Sequence, residues 1–125
     1  ELKTYTAYCD HDLMYQVVYN LIENAVKFSN EGGRLEFKME KRGLFIAVSI
    51  QNTGVGIPPQ ELPFIFDKYY KSDRSRALDK SGLGLGLYLV KTIIRLHGGD
   101  IIVNSTANQY CEFIFTLPQE KRLGS

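Results

Sequence analysis

A two-layer α+β sandwich, with helices on one face of a mixed, mostly antiparallel sheet, is predicted by three observations. Two stretches carry apolar residues at helical spacing: Val17, Val18, Leu21, Ile22, Ala25 and Phe28, then Leu89, Val90, Ile93, Ile94 and Leu96. After each comes a pair of alternating stretches closed by a short turn, the signature of a hairpin. The resulting order is strand, helix, hairpin, loop, helix, hairpin. Such an order buries both helices against one sheet.

The elements can be justified in turn. Residues 2–9 alternate weakly and are expected as a strand. Asp10 or Asp12 can cap the helix that follows, which is expected to reach Ser29 before Asn30-Glu31-Gly32-Gly33 ends it. Residues 34–40 alternate, with Leu35, Phe37 and Met39 expected inward and Arg34, Glu36, Lys38 and Glu40 outward. Lys41-Arg42-Gly43 is a turn. Residues 44–51 pair back, with Leu44, Ile46, Val48 and Ile50 on the inner face, and period two carries that face on to Asn52. Residues 61–66 suit a short helix, and the polar, charged residues 67–82 suit a mobile loop. A second long helix is expected from the Gly82–Leu87 stretch to His97, with Tyr88, Lys91 and Arg95 outward and Gly98-Gly99 as its stop. Residues 101–105 and 110–117 form the last hairpin. Domain limits of 1–118 follow, with 119–125 as a C-terminal tail.

The chain has 125 residues and a net charge of +1, which makes one domain with a real core and gives no general attraction to nucleic acid or a membrane surface. No apolar run approaches membrane-spanning length. No signal peptide is recognisable, and a chain beginning at Glu1 reads as a piece of a longer protein. Cys9 and Cys111 are too few for a disulfide framework and lack metal-ligand spacing. Both are expected as buried thiols in a reducing compartment.

The first helix carries an unusual polar face. Asn20, Asn24 and Lys27 stand at i, i+4 and i+7 and so share one side. Asn disfavours helix because its amide competes for backbone hydrogen bonds, so two of them one turn apart point to a site. Asn carbonyls are neutral oxygen ligands for a hard cation, and Lys supplies a point charge for phosphate. Asn52-Thr53-Gly54-Val55-Gly56-Ile57 breaks an inner strand with two glycines, where backbone can approach a ligand closely. Gly82-Leu83-Gly84-Leu85-Gly86-Leu87 opens a helix whose first N–H groups favour an anion. Between these lie Lys71, Arg74, Arg76 and Lys80. Together they describe a site for a nucleotide with Mg²⁺. The second loop is neither a P-loop, which would continue Gly-Lys-Ser/Thr, nor a Rossmann turn, which would follow a strand.

These stretches, in this order, resemble the catalytic ATP-binding domain of bacterial sensor histidine kinases, in the class shared with gyrase, Hsp90 and MutL. Asn20–Ser29 resembles the family's N box, Asn52–Ile57 its first glycine box and Gly82–Leu87 its second. Phe66-Asp67-Lys68-Tyr69 resembles its F box, with Tyr for the second Phe, and His97-Gly98-Gly99 with the terminal strand resembles its closing hairpin. The resemblance implies a Bergerat-type fold and a cofactor of ATP with Mg²⁺. It implies that Asn24 ligands the metal beside Asn20, that Lys27 contacts phosphate, and that Gly54 and Gly56 let adenine lie on the sheet. Asn52, Ile57, Tyr69, Leu83, Leu85 and Leu87 join the implied nucleotide contacts, while Gly82, Gly84 and Gly86 wrap the phosphates. Asn20, Lys27, Lys71 and Arg74 are the implied catalytic residues, with Lys71, Arg74 or Arg76 neutralising γ-phosphate charge. The implied partners are a dimerisation and phosphoacceptor domain of the same parent and a response regulator. The parent is expected as a homodimeric, membrane-bound sensor with this monomeric domain in the cytoplasm.

Three departures stand out. Asn52 replaces an Asp whose carboxylate, in the family, accepts from the adenine amino group. An amide both donates and accepts, so it can pair with either purine, and relaxed selectivity admitting GTP is one expectation; a tolerated variant and a weakened site are the others. Tyr110 replaces a usual Gly and reads as a loop change remote from the phosphates. Leu83 replaces a frequent Thr. His11-Asp12-Leu13 resembles only the start of a phosphoacceptor box, so His11 is not expected to accept phosphate, and His97 is expected to cap the end of its helix. The alternatives are a degenerate regulatory member, supported by Asn52, and a serine kinase of the anti-sigma class.

Overall fold

The computed structural model describes residues 4–68, 70 and 86–120. Helix α1 spans His11–Phe28. Asp10 is its N-cap: Oδ1 accepts from the Leu13 N–H at 2.9 Å, satisfying one of the free donors of the first turn. Val17, Leu21 and Ala25, each four residues on, form its buried stripe. Val18, Ile22 and Phe28 lie half-buried beside that stripe. Helix α2 spans Gly86–Leu96 and buries Val90, Ile93 and Ile94.

Strands β1 (Leu35–Arg42), β2 (Phe45–Thr53), β3 (Ile101–Thr106) and β4 (Tyr110–Pro118) form one sheet in the order β1-β2-β4-β3. Every ladder among the described residues is antiparallel. The hairpin turns use left-handed residues, Gly43 at φ +62° and Asn108 at φ +63°. Ile50, Ile101, Phe113, Phe115 and Leu117 line the sheet's inner face and pack with the buried residues of both helices into one core. A single 3-10 turn, Leu62–Phe64, stands where a short helix over 61–66 was expected.

The sheet departs from expectation at its margins. Residues 4–9 form no strand; Tyr8 N–H donates to the Pro118 carbonyl at 2.8 Å and that is the segment's one backbone bond to the sheet. The cause is that β4 is flanked by β2 along its whole length and by β3 up to Phe115, which leaves only its last residues open. Leu35, Phe37 and Met39 do share the inner face, since they pair with Asn52, Ile50 and Val48. They are nevertheless exposed, by 42%, 51% and 52%, because α1 packs over β2 and leaves the edge strand β1 bare. Leu44 belongs to the turn and is exposed rather than inward. Leu89 and Leu96 are exposed too, as flank and last turn of α2, whereas Tyr88 and Lys91 are half-buried. Cys9, in the leading segment, is exposed; only Cys111 is buried. The loop expected over 67–82 lies outside the described residues at 69 and 71–82.

Candidate functional site

The C-terminal end of α1 is stapled to the turn after β2. Ser29 leaves the helix in extended geometry, at φ −76° and ψ 151°, and makes a bridge with Gly54. Asn30 N–H donates to the Thr53 carbonyl at 3.3 Å, and Thr53 Oγ1 donates to Asn30 Oδ1 at 2.9 Å. A Cβ on Gly54 would fall on the Phe28 carbonyl, so only glycine lets helix and turn meet. Lys27 immediately precedes this junction and Asn24 stands one turn before it. Asn20, Asn24 and Lys27 are all half-buried beside the buried stripe of α1.

A second wall comes from the β3–β4 hairpin. Gly54 N–H donates to the Gln109 carbonyl at 3.1 Å, and Asn108 N–H to the Val55 carbonyl at 2.6 Å. Gly56, at φ +68°, occupies the left-handed region, and a Cβ there would lie 2.6 Å from the Thr106 carbonyl and 3.0 Å from the Tyr110 carbonyl. Ser105 Oγ accepts from the Ile57 N–H at 2.7 Å and donates to the Tyr110 carbonyl at 3.0 Å. The Tyr110 loop is therefore part of what holds the glycine turn. Ser105 is the functional position the sequence reading missed. Its signal was present: by period two it follows Ile101 and Val103 on the inner face, as Asn52 follows Ile50.

Across the inner face, Asn52, Cys111 and Ser105 lie side by side on β2, β4 and β3. Asn52 is 3% exposed, and its Nδ2 donates to the Thr53 carbonyl at 3.2 Å. Burial pushes the Cys111 thiol up to about 12; the hydrogen bond with Ser105 opposes this and the charge of Glu112 adds to it. This end of the sheet is thus polar but uncharged. A cavity of 80 Å³ lined by Arg34, Glu36, Gln51 and Thr53 opens on the opposite sheet face and takes no part in it.

The F-box stretch is anchored from three sides. The Phe66 ring meets Phe113 edge-on, with centroids 6.1 Å apart, and the Lys91 ammonium lies 4.9 Å from the Phe66 centroid. Lys68 lies 5.8 Å from the Tyr88 ring, and the Tyr70 hydroxyl donates to Glu61. Gly86 begins α2, and Leu87 packs on the core. Tyr69, Lys71, Arg74, Arg76, Gly82, Leu83, Gly84 and Leu85 lie outside the described residues. Among the described residues no cluster of three His, Cys, Asp or Glu can hold a metal. The Asn20 and Asn24 amides, one turn apart on α1, carry neutral oxygens of the kind a hard cation accepts.

The geometry defines a helix pair over an antiparallel sheet with its polar residues gathered at one end. The family model for "Histidine kinase-, DNA gyrase B-, and HSP90-like ATPase" matches residues 9–121, and the chain belongs to this family. It is similar to "Sensor histidine kinase WalK" of Bacillus subtilis (strain 168), 35% identical over 114 residues, covering 90% of this chain and 19% of that protein. It is 39% identical over 110 residues to "Sensor protein SrrB" of Staphylococcus aureus (strain NCTC 8325 / PS 47), covering 88% of this chain and 19% of that protein. The chain thus spans about a fifth of the length of these relatives. Among solved structures, a mycobacterial sensor histidine kinase, MprB, superposes with TM-score 0.81 at 28% identity, covering 93% of this chain and 78% of that one. The catalytic domain of histidine kinase ThkA superposes with TM-score 0.75 at 30% identity, covering 89% and 70%. Full-length ShkA in complex with AMPPNP superposes with TM-score 0.79 at 28% identity, covering 95% and 24%. This chain is the ATPase domain that sensor histidine kinases carry, and the kinship favours that reading over a serine kinase.

Proposed function

We propose that this chain binds Mg-ATP at the α1–glycine-turn junction and presents it for phosphorylation of a histidine on a separate dimerising domain of the same parent. The observation that carries this reading is the junction itself: Ser29 bridged to Gly54 places the Asn24–Lys27 end of α1 beside the Asn52–Gly56 turn. Adenine would lie over Asn52 and Gly54. With Nδ2 held by the Thr53 carbonyl, Asn52 Oδ1 is the atom left to accept from the adenine amino group. Asn24, with Asn20 beside it, would hold Mg²⁺; the metal, when bound, neutralises phosphate charge. Lys27 would contact phosphate, and Lys71, Arg74 or Arg76 would neutralise γ-phosphate charge. Phosphoryl transfer needs chiefly positioning and charge neutralisation, which is what these groups offer. A response regulator would receive the phosphoryl group, and a membrane-bound homodimeric sensor would be the parent.

Calorimetric titration with AMPPNP and Mg²⁺ tests this. The wild-type chain is expected to bind, Asn24→Ala to lose most affinity, and Asn52→Asp to gain several-fold. A hydrogen bond to a charged acceptor exceeds a neutral one by about 1 kcal/mol. A folded wild-type chain that gives no heat while Asn52→Asp binds would mean that Asn52 disables the site. Silence from both would end the proposal. Adding GTP as competitor reads the purine selectivity of Asn52 in the same cell.

A further inference from the structure

Away from the glycine turn, one imidazole links the two helices. The backbone N–H of Asp10 donates to His97 Nε2 at 3.0 Å. Nδ1 of the same ring lies 2.7 Å from the Ile93 carbonyl. A backbone N–H only donates and a carbonyl only accepts. Nε2 must therefore be bare and Nδ1 must carry the proton, which makes the ring neutral and fixes its tautomer. Neither residue is a loose end. Asp10 caps α1 through Oδ1. The His97 N–H donates to the Ile93 and Ile94 carbonyls at 3.2 and 3.1 Å, and the Gly99 N–H donates to the Ile94 carbonyl at 3.1 Å. Gly98 reverses the chain at φ +87°, and a Cβ on Gly99 would fall on the Thr116 carbonyl of β4. The ring is thus held from behind by a turn docked on the sheet and reaches forward to Asp10, the N-cap of α1.

We propose that neutral His97 is a positioning residue that fixes α1, the helix bearing Asn20, Asn24 and Lys27, against α2, and that protonation of His97 releases this joint. Protonation sets an N–H at Nε2 against the Asp10 N–H, so the acceptor is lost and two donors face each other. The charged or titratable groups on the elements that meet there are Tyr5, Tyr8, Cys9 and Asp10 ahead of α1, His11 and Asp12 in its first turn, Tyr88, Lys91 and Arg95 on α2, and Asp100 beyond it. His11 pairs with Asp12 at 3.5 Å and Arg95 with Asp100 at 3.5 Å. Asn24 stands about 20 Å along α1 from Asp10, at roughly 1.5 Å per residue. His97 therefore touches no ligand at Asn24 and acts through the pose of the helix.

The test follows the Asp10 amide. Its hydrogen-exchange protection, normalised to the unprotected rate at each pH, is measured in wild type, His97→Gln and His97→Phe at about pH 8 and about pH 5.5. Gln can accept from Asp10 and donate to Ile93 without titrating. Wild type is expected to protect Asp10 at the higher pH only, Gln at both and Phe at neither, with losses of roughly three- to tenfold for one hydrogen bond. Circular dichroism checks that each form is folded. Equal wild-type protection at both pH values, or Asp10 as protected in the Phe form as in wild type, overturns the joint. Nitrogen NMR showing the proton on Nε2 does the same. Mg-AMPPNP affinity is expected to follow the same order, an arm that rests on the nucleotide reading. Affinity alike in all forms and at both pH values removes the positioning role. Should no form bind AMPPNP, the nucleotide reading fails while Asp10 protection still decides the joint.

Discussion

Cys111 shows how one buried side chain shapes the base of the site. It stands between Asn52 and Ser105 on the inner sheet face, and burial pushes its thiol from 9.0 up to about 12. In the unfolded chain the thiol ionises near 9.0, while in the fold it keeps its proton to about 12. Between those values the unfolded state binds fewer protons, so stability is full below the lower value and falls as pH rises toward the upper one. Melting temperatures of wild type and Cys111→Val are therefore expected to run parallel below about pH 9 and to lose that parallel above it, the wild type falling faster. Parallel curves throughout would mean that the thiol gains water on the sheet. Asn52 and Ser105 were both accessible to period-two reasoning, and only one was read. An Asn following Val48 and Ile50 on an apolar face contradicts its surroundings, whereas a Ser at the end of Ile101-Ile102-Val103-Asn104 looks like an ordinary strand terminus. What makes Ser105 matter is Ile57, a partner 48 residues away that no local pattern contains.

At the level of elements, the helices and hairpins were legible because each carries its own period, and their margins were not because margins depend on neighbours. Leu35, Phe37 and Met39 have a faultless alternation and sit on the face it assigns, yet lie bare, since coverage by α1 is decided by where β1 falls in the sheet. The junction of α1 with the glycine turn was invisible for the same reason: Gly54 reads as a place where backbone can approach a ligand closely, and only the Phe28 carbonyl lying against it shows that its neighbour is the end of α1. Its physical content can be measured. Gly54→Ala is expected to cost about 1–3 kcal/mol, typical of forcing an atom into packed structure. Gly86→Ala, with no described atom within 4 Å of its Cβ and no positive φ, should be neutral or stabilising by up to about 1 kcal/mol. Urea denaturation of both variants checks this. A Gly54→Ala form as stable as wild type would mean that helix and turn separate in solution.

The whole molecule sets a limit on what the chain can do alone. Its two histidines are His11 and His97. His97 has both ring nitrogens engaged, by the Asp10 N–H and the Ile93 carbonyl. His11 is exposed in the first turn of α1, and Asn24 lies about 20 Å further along the same rigid helix at roughly 1.5 Å per residue. A phosphate held at the Asn24 end therefore cannot reach His11 of the same molecule, and no bending of an intact helix shortens that span. On the proposed function acceptance would come from elsewhere; the chain covers 19% of relatives about five times as long. Incubated with γ-labelled ATP and Mg²⁺, the isolated chain is expected to stay unlabelled. Adding a dimerising helical domain with an acceptor histidine, taken from the parent, is expected to yield label on that domain that acid removes, as phosphohistidine requires. Acid-stable label on the added protein would move the assignment to a serine kinase. Label on the chain itself that survives His11→Ala would show that the phosphate is not held where Asn24 and the glycine turn meet.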